Sequence, residues 1–313
     1  MIDISIVVAV YNHEKYIEKA IRSILAQDIC FKYEVLIGED CSTDKSRAVL
    51  RRMEPSLPSE FKIFYRNYNL GIVNNFRDLY KKSRGRYIIV LEGDDYWCYR
   101  YKLKEQFLFL ESNKEYIAIA HNSNIVDEND KEIYFEYPEC KNSEYTMEDF
   151  FCDYLPGQTT TILMRNIYKN NLIDENLDVG NYPGDRRIAF LLVFNGKIKC
   201  IQEKWSSYRY VTSSGSSFSA TRSNDLLCSR IDSLVYWKSL YRYAKKNSNN
   251  TWLLDKLEVR YLYWFFSVLL KKIAPNLKKE CLIDILKFRN KSKVLFWAIS
   301  FYLKKRIGKF NEK

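Results

Sequence analysis

Short apolar runs and amphipathic stretches alternate through the first hundred residues. Positions 4–10 are apolar at all but one place and predict a buried strand. Tyr11-Asn12 ends it, with Asn12 as a candidate helix N-cap, and Tyr16, Ile17, Ala20, Ile21, Ile24 and Leu25 then recur at helical spacing. A second strand at 34–37 closes in Gly38-Glu39-Asp40, and Ser42 caps a helix that Pro55 and Pro58 stop. A third strand at 61–65 leads through Asn67-Tyr-Asn-Leu-Gly71 into a helix ending near Ser83. The fourth strand, 87–91, is continuous in apolar residues and breaks off in Glu92, Asp94 and Asp95. Such alternation predicts an α/β fold with a parallel sheet and right-handed crossovers. Open sheets of this class take ligands beyond the carboxyl ends of their strands. Tyr11, Asp40, Asn69 and the Asp94-Asp95 pair therefore share one edge, although they lie far apart in the chain.

After Trp97 the pattern predicts a helix holding Leu103, Phe107 and Leu110, then a strand at 116–120 ending at His121-Asn122. Residues 127–146 read as a small hairpin and loop, 147–154 as a short helix and 158–164 as a strand. A helix at 184–195 starts with Asp185; short strands follow at 197–201 and 205–210, and a Ser/Thr/Gly loop at 212–219. From about Asp225 the pattern is helical to the end. The predicted organisation is a domain over 1–220, in halves 1–97 and 98–220, and a helical appendage over 221–313.

Charge sharpens that division. Of 313 residues with a formal net charge of +11, residues 226–313 hold 20 Lys/Arg against 6 Asp/Glu, whereas the other 225 hold 30 against 33. Two ten-residue apolar runs in this basic segment, 261–270 and 294–303, are flanked by Lys and Arg. They are too short to span a bilayer and suit helices on an anionic membrane surface or packed on protein. No nucleic-acid motif accompanies the charge, so nucleic acid is not the expected partner. The eight cysteines form no C-x-x-C pair, and His13 and His121 are the only histidines. A Cys/His zinc site is not expected, and reduced thiols and a cytoplasmic setting are. The N-terminus has no basic region of a signal peptide.

Two adjacent carboxylates at a buried strand end suit a hard cation, since magnesium takes one or two carboxylates plus water and substrate phosphate. An acidic turn capping the next helix has the same appearance. Ser5-Ile-Val-Val-Ala-Val-Tyr-Asn12, Glu39-Asp-Cys-Ser-Thr-Asp44, Asn69-Leu-Gly71 and Leu91-Glu-Gly-Asp-Asp-Tyr-Trp97 resemble, in this order, the signatures of family 2 glycosyltransferases with the GT-A fold. The resemblance covers about residues 4–215. It implies a Rossmann-like, mostly parallel sheet and inverting transfer of a sugar from a nucleotide diphosphate, with UDP the expected carrier. By the same resemblance Ala9 and Tyr11 flank the base, Asp40 accepts its N–H, Asp94 contacts the ribose and Asp95 binds Mn²⁺ or Mg²⁺; Asn69 is a further candidate for the donor site, although Asn at this place more often shapes a turn. Asp185 matches the family's general base, although Asp at a helix start is also an ordinary cap.

Three features depart from the family pattern. Glu39 and Glu92 stand where Asp is common. Phe76-Arg77 replaces an Arg-Asn pair. Val211 follows Tyr208-Arg209 where many members carry His, leaving Thr212, Ser213 or water for the diphosphate side. The implied acceptor is a lipid-linked or oligosaccharide hydroxyl in cell-surface polysaccharide synthesis, reached from the inner face of the cell membrane. A sugar-nucleotide nucleotidyltransferase would need a glycine-rich loop after the first strand, and Tyr11-Asn-His-Glu-Lys15 has no glycine. A catalytically weak or inactive, membrane-associated nucleotide-sugar-binding protein is the other alternative.

Overall fold

The computed structural model describes residues 1–169, 184–211, 226–269, 274–288, 291–292 and 294–300. They fall into two compact units, one formed by 1–169 with 184–211 and the other by the residues from 226 onward.

The first unit opens with β1 (Ile4–Val10), α1 (Ile17–Leu25), β2 (Tyr33–Glu39), α2 (Ser46–Met53), β3 (Phe61–Tyr65), α3 (Ile72–Lys82) and β4 (Tyr87–Glu92). It continues with β5 (Tyr96–Trp97), α4 (Lys102–Ser112), β6 (Tyr116–Val126), β7 (Glu144–Tyr145), α5 (Met147–Phe151), β8 (Leu163–Arg165), α6 (Gly184–Asn195) and β9 (Lys197–Arg209). One sheet runs β3-β2-β1-β4-β8-β6-β9-β5, with β7 also on β9. Strands β3, β2, β1 and β4 pair in parallel, as do β6 and β9, while β8 is antiparallel to both its neighbours. The α/β class and the order of the first four strands follow the sequence pattern.

The apolar runs sit where their periodicity requires. Every residue of β1 is buried, and Ile4, Ile6 and Val8 share one core with Ile89 and Leu91 of β4 and with Ile17, Ile21 and Ile24 of α1. Each such side chain contributes about 1.5–3 kcal/mol when fully withdrawn from water. In-register pairing sets Ala9 opposite both Gly38 and Glu92, so the polar strand ends emerge together.

Local details differ from the sequence reading where polar side chains found distant partners. Asn12 does not cap α1, which starts at Ile17 after Tyr16. Its φ is +58° and its Oδ1 accepts from Thr43 N at 2.8 Å. The second helix starts at Ser46 rather than Ser42, because Ser42 Oγ accepts from Asn12 N and Asp44 Oδ2 from Glu14 N. These side chains bind the loops after β1 and β2 to each other. Residues 159–161 form a 3₁₀ turn capped by Gln158, leaving only Leu163–Arg165 as strand. The two short strands expected within 197–210 are the single β9, whose register against β6 is irregular near His121 to Ser123.

The second unit contains α7 (Leu226–Asn247), α8 (Thr251–Leu269) and α9 (Pro275–Leu286), with further helical residues at 294–300. Tyr241, Tyr261 and Phe288 cluster inside it, and Lys238–Glu280 and Arg242–Asp284 ion pairs tie α7 to α9. Of the first apolar run, Tyr261, Leu262, Phe265 and Val268 are buried within the unit. In the second run Leu295, Phe296, Trp297 and Ile299 are exposed, together with Leu282, Ile283 and Leu286 of α9. Among the described residues no helix is long and apolar enough to cross a membrane.

Candidate active site

The polar strand ends converge as the parallel order requires. Ala9 is buried at the end of β1 and Tyr11 is half-buried just beyond it. Asp40, buried after β2, accepts from Leu70 N at 2.8 Å through Oδ1, and its carbonyl accepts from Asn69 Nδ2 at 3.1 Å. Asn69 Oδ1 in turn accepts from Gly71 N at 2.9 Å, so Asn69 shapes this turn. Asp40 Oδ2 has no hydrogen-bond partner among the described residues. Asn12 and Cys41, the residues directly after Tyr11 and Asp40, both have φ +58°. Left-handed non-glycine residues cost of order 1–3 kcal/mol and cluster at functional sites.

The acidic turn after β4 is held from several sides. Asp95 is buried; its Oδ1 accepts from Arg209 N at 2.9 Å and its Oδ2 from Gln158 Nε2 at 3.1 Å. The Arg209 side chain is fully buried. Its Nε donates to the Asp94 carbonyl at 3.0 Å, Nη1 to the Asp127 carbonyl and Nη2 to Asp130 Oδ1, each at 2.5 Å. The guanidinium carbon lies 4.2 Å from the centre of the Tyr16 ring, and Lys19 completes the brace with a 2.8 Å ion pair to Asp130. Arg209 thus ties the Asp94-Asp95 turn to the 127–130 loop and to the start of α1.

His13 reaches the other side of the turn, its Nε2 3.8 Å from Asp94 Oδ2. Its Nδ1 is buried without a partner among the described residues. A Cβ at Gly93 would meet that Nδ1 at 2.6 Å and the Ala9 carbonyl at 3.0 Å, so only glycine lets His13 lie here.

Asp185 occupies the first turn of α6, where its Oδ1 accepts from Arg186 N at 2.7 Å. Burial pushes its pKa up. Glu92 is pushed up to about 8 by burial and by the charges of Asp94 and Asp185, and Asp95 is raised by burial, Asp94 and Glu92. Glu92, Asp94, Asp95 and Asp185 therefore form one electrostatic group that is short of positive charge. Its hard oxygen donors fit a magnesium or manganese ion, and each Asp95 oxygen keeps one lone pair beyond its hydrogen bond. Among the described residues no three His, Cys, Asp or Glu side chains are placed to hold a metal by themselves. Water and ligand phosphate would complete the shell.

Several site residues were not legible in the sequence. His13 was one of only two histidines in the chain and stood directly after Tyr11-Asn12, a signal that could have flagged it. Gln158 carried no local signal, since its partner is 63 positions away; Arg209 was visible as part of the Tyr208-Arg209 pair, but its role was not, since Asp95 is 114 positions away. Glu39 is occupied structurally: it accepts from Ser42 N and pairs with Arg47 at 2.5 Å. Val211 is buried, and Thr212 and Ser213 lie outside the described residues. Of the two arginines after Asp185, Arg186 pairs with Asp153 at 2.9 Å.

Comparison with known proteins places this geometry. An uncharacterized protein of Mycobacterium tuberculosis is 27% identical over 209 residues, 66% of this chain and 58% of its own length. Escherichia coli WfaP, named a UDP-Glc:α-D-GlcNAc-diphosphoundecaprenol β-1,3-glucosyltransferase, is 30% identical over 118 residues, 38% of this chain and 45% of its own. The crystal structure of Staphylococcus aureus TarS 1–349 in complex with UDP-GlcNAc matches with a TM-score of 0.65 at 16% identity, over 96% of this chain and 89% of that one. That likeness establishes the GT-A fold for the α/β sheet. The chain thus spans little more than half the length of its mycobacterial relative. Residues 5–171 match the domain described as Glycosyl transferase family 2, and with that domain covering more than half of its length the chain belongs to glycosyl transferase family 2.

Proposed function

We propose that this protein transfers a sugar from a UDP-sugar to a hydroxyl of a lipid-linked or oligosaccharide acceptor, with inversion, in cell-surface polysaccharide synthesis. The observation that carries the reading is the carboxylate group Glu92, Asp94, Asp95 and Asp185 at the carboxyl edge of the sheet, beside the Asp40–Asn69 turn. WfaP, by its name, uses UDP-glucose, and TarS was crystallised with UDP-GlcNAc; both support a uridine carrier.

In this reading the Tyr11 ring stacks on uracil and Asp40 Oδ2 accepts the N3–H, a charge-assisted bond stronger than a neutral one. Asp94 takes a ribose hydroxyl. Asp95 would hold a magnesium or manganese ion, which when bound supplies positive charge against the leaving diphosphate. Asp185 accepts the proton of the acceptor hydroxyl as its oxygen attacks the anomeric carbon and the bond to UDP breaks. A raised pKa suits that role, because a stronger base takes the proton more readily. The basic C-terminal unit is proposed to hold the enzyme at the anionic inner face of the membrane through the exposed apolar residues of 282–299.

A thermal-shift and calorimetric screen of UDP, GDP and ADP, with and without Mn²⁺, tests the reading. UDP should bind best and raise the melting temperature, since ligand bound to the native state must stabilise it. Equal affinity for UDP and GDP would count against base reading by Asp40. Binding of UDP-sugars without any turnover would favour the inactive binding protein, a reading that the buried Val211 supports.

A further inference from the structure

Four aromatic residues form a wall on the side of β9 opposite to Arg209. Side chains alternate along a strand, and Arg209 points toward Tyr16. Tyr208 and Tyr210 therefore point to the other face, with Tyr210 still paired through its N–H to the Val126 carbonyl. The 127–146 segment supplies their partners. Phe135 stacks on Tyr210 with ring centres 4.2 Å apart at 26°, and Tyr137 packs on Tyr208 at 5.8 Å. Burial raises both the Tyr137 and the Tyr208 phenol, and the charges of Glu92 and Asp185 add to it. Neither hydroxyl has a hydrogen-bond partner among the described residues. Phe135 is exposed at the rim, although an aromatic ring gains most from burial.

We propose that this wall is the acceptor subsite and that it seats a neutral pyranose ring, stacked on the outer face of Phe135, which Tyr210 backs, and hydrogen-bonded by Tyr137 and Tyr208. The proposal rests on the transferase reading above and names its acceptor class. A pyranose offers an apolar C–H face to an aromatic ring and hydroxyls to the phenols, and a site of this kind uses few polar groups to fix orientation. The wall adjoins the acidic turn, because Arg209, which stands between Tyr208 and Tyr210 in the chain, gives its N–H to Asp95 Oδ1 at 2.9 Å. The alternative acceptor chemistry, a phosphate-bearing polyol, calls for a cation at the wall. Among the described residues Arg186 pairs with Asp153 and Arg209 is buried on the opposite face, so neither of these two is placed to meet a phosphate at the wall.

The test uses the full chain. UDP affinity is first measured by calorimetry. Transfer from UDP-glucose, UDP-galactose and UDP-N-acetylglucosamine is then assayed with octyl pyranosides and with ribitol 5-phosphate as acceptors. At least one pyranoside should be glycosylated. Phe135→Ala should raise its KM by about tenfold, and Tyr137→Phe, which keeps the ring, by about threefold, with UDP affinity held within about twofold. Use of ribitol 5-phosphate with no pyranoside turned over overturns the proposal. So does an unchanged acceptor KM in both variants, or a loss confined to UDP-sugar affinity, which would assign the wall to the donor. A parent protein that binds no UDP defeats the transferase reading itself, whereas UDP binding with an unmoved acceptor KM defeats the subsite alone.

Discussion

Arg209→Met removes the guanidinium that fixes the acidic turn, and the cost follows from its partners. Two bonds to the carbonyls of Asp94 and Asp127 are lost in a buried setting, at about 1.5 kcal/mol each for a charged donor. The Asp130 pair counts for less, about 1 kcal/mol, because its carboxylate is 39% exposed and keeps Lys19 as a second partner. Methionine retains most of the apolar stem, so packing changes little. The loss comes to about 4 kcal/mol, which for a chain of this size lowers the melting temperature by roughly 10 °C. The Arg209 N–H to Asp95 survives the substitution, but the Asp94 carbonyl is released. UDP affinity should fall by about tenfold as the turn loosens, equivalent to about 1.4 kcal/mol. Asp130→Asn touches the guanidinium without touching the turn and should show the same two effects at a smaller scale. Differential scanning fluorimetry and UDP calorimetry read both. A melting temperature within about 2 °C of the parent, together with unchanged UDP affinity in Arg209→Met, would refute the brace.

Other expectations follow from the same geometry. Gly93→Ala should cost about 1–3 kcal/mol in denaturant melts, because its Cβ would lie 2.6 Å from His13 Nδ1; an unshifted midpoint would show that His13 moves freely. Asp185→Asn should abolish transfer while UDP still binds. Because burial raises Asp185, the acid limb of kcat/KM should lie above the ordinary carboxylate range, rising with pH as the base ionises; a limb near pH 4 would contradict the assignment. Buried His121 is held neutral, its pKa well below 6.5. The unfolded chain takes up that proton as pH falls below 6.5 and the native state does not, so His121 contributes a loss of stability from pH 7 to pH 5, against the opposite contribution of Glu92, Asp95 and Asp185, whose raised pKa values keep protons on the native state. His121→Gln should therefore gain stability relative to the parent as pH falls from 7 to 5 in urea melts, and a constant difference between the two would refute the neutral His121. Flotation with anionic vesicles should show binding that 1 M salt reduces without abolishing, since the Debye length shrinks to about 3 Å and apolar contact persists. No binding at low salt would exclude the membrane role of residues 282–299.

The α/β order and the shared edge of Tyr11, Asp40, Asn69 and Asp94-Asp95 were readable from the chain because they depend on local period and parallel topology. Burial of residues 4–10 and 87–91 follows from composition alone, and a parallel sheet puts equivalent strand ends side by side whatever else happens. Helix starts were misread at Asn12 and Ser42 because their side chains bond across 30 positions rather than to their own helices. The same reason hid the role of Arg209, known from the sequence only as part of the Tyr208-Arg209 pair, because its partners at 94, 127 and 130 meet only when β9 is laid beside β5 and β6. It also hid Gln158 beneath Asp95 and His13 beside Asp94, where a missing Cβ at Gly93 makes the room. In the basic segment the sequence marked two apolar runs as equivalent, and packing separated them. Tyr261, Leu262, Phe265 and Val268 turn inward and Phe266 outward, while in the second run Val294 and Ala298 are buried and Leu295, Phe296, Trp297 and Ile299 face outward. Periodicity reports which positions can be buried together; which run is buried depends on the helices that fold against it.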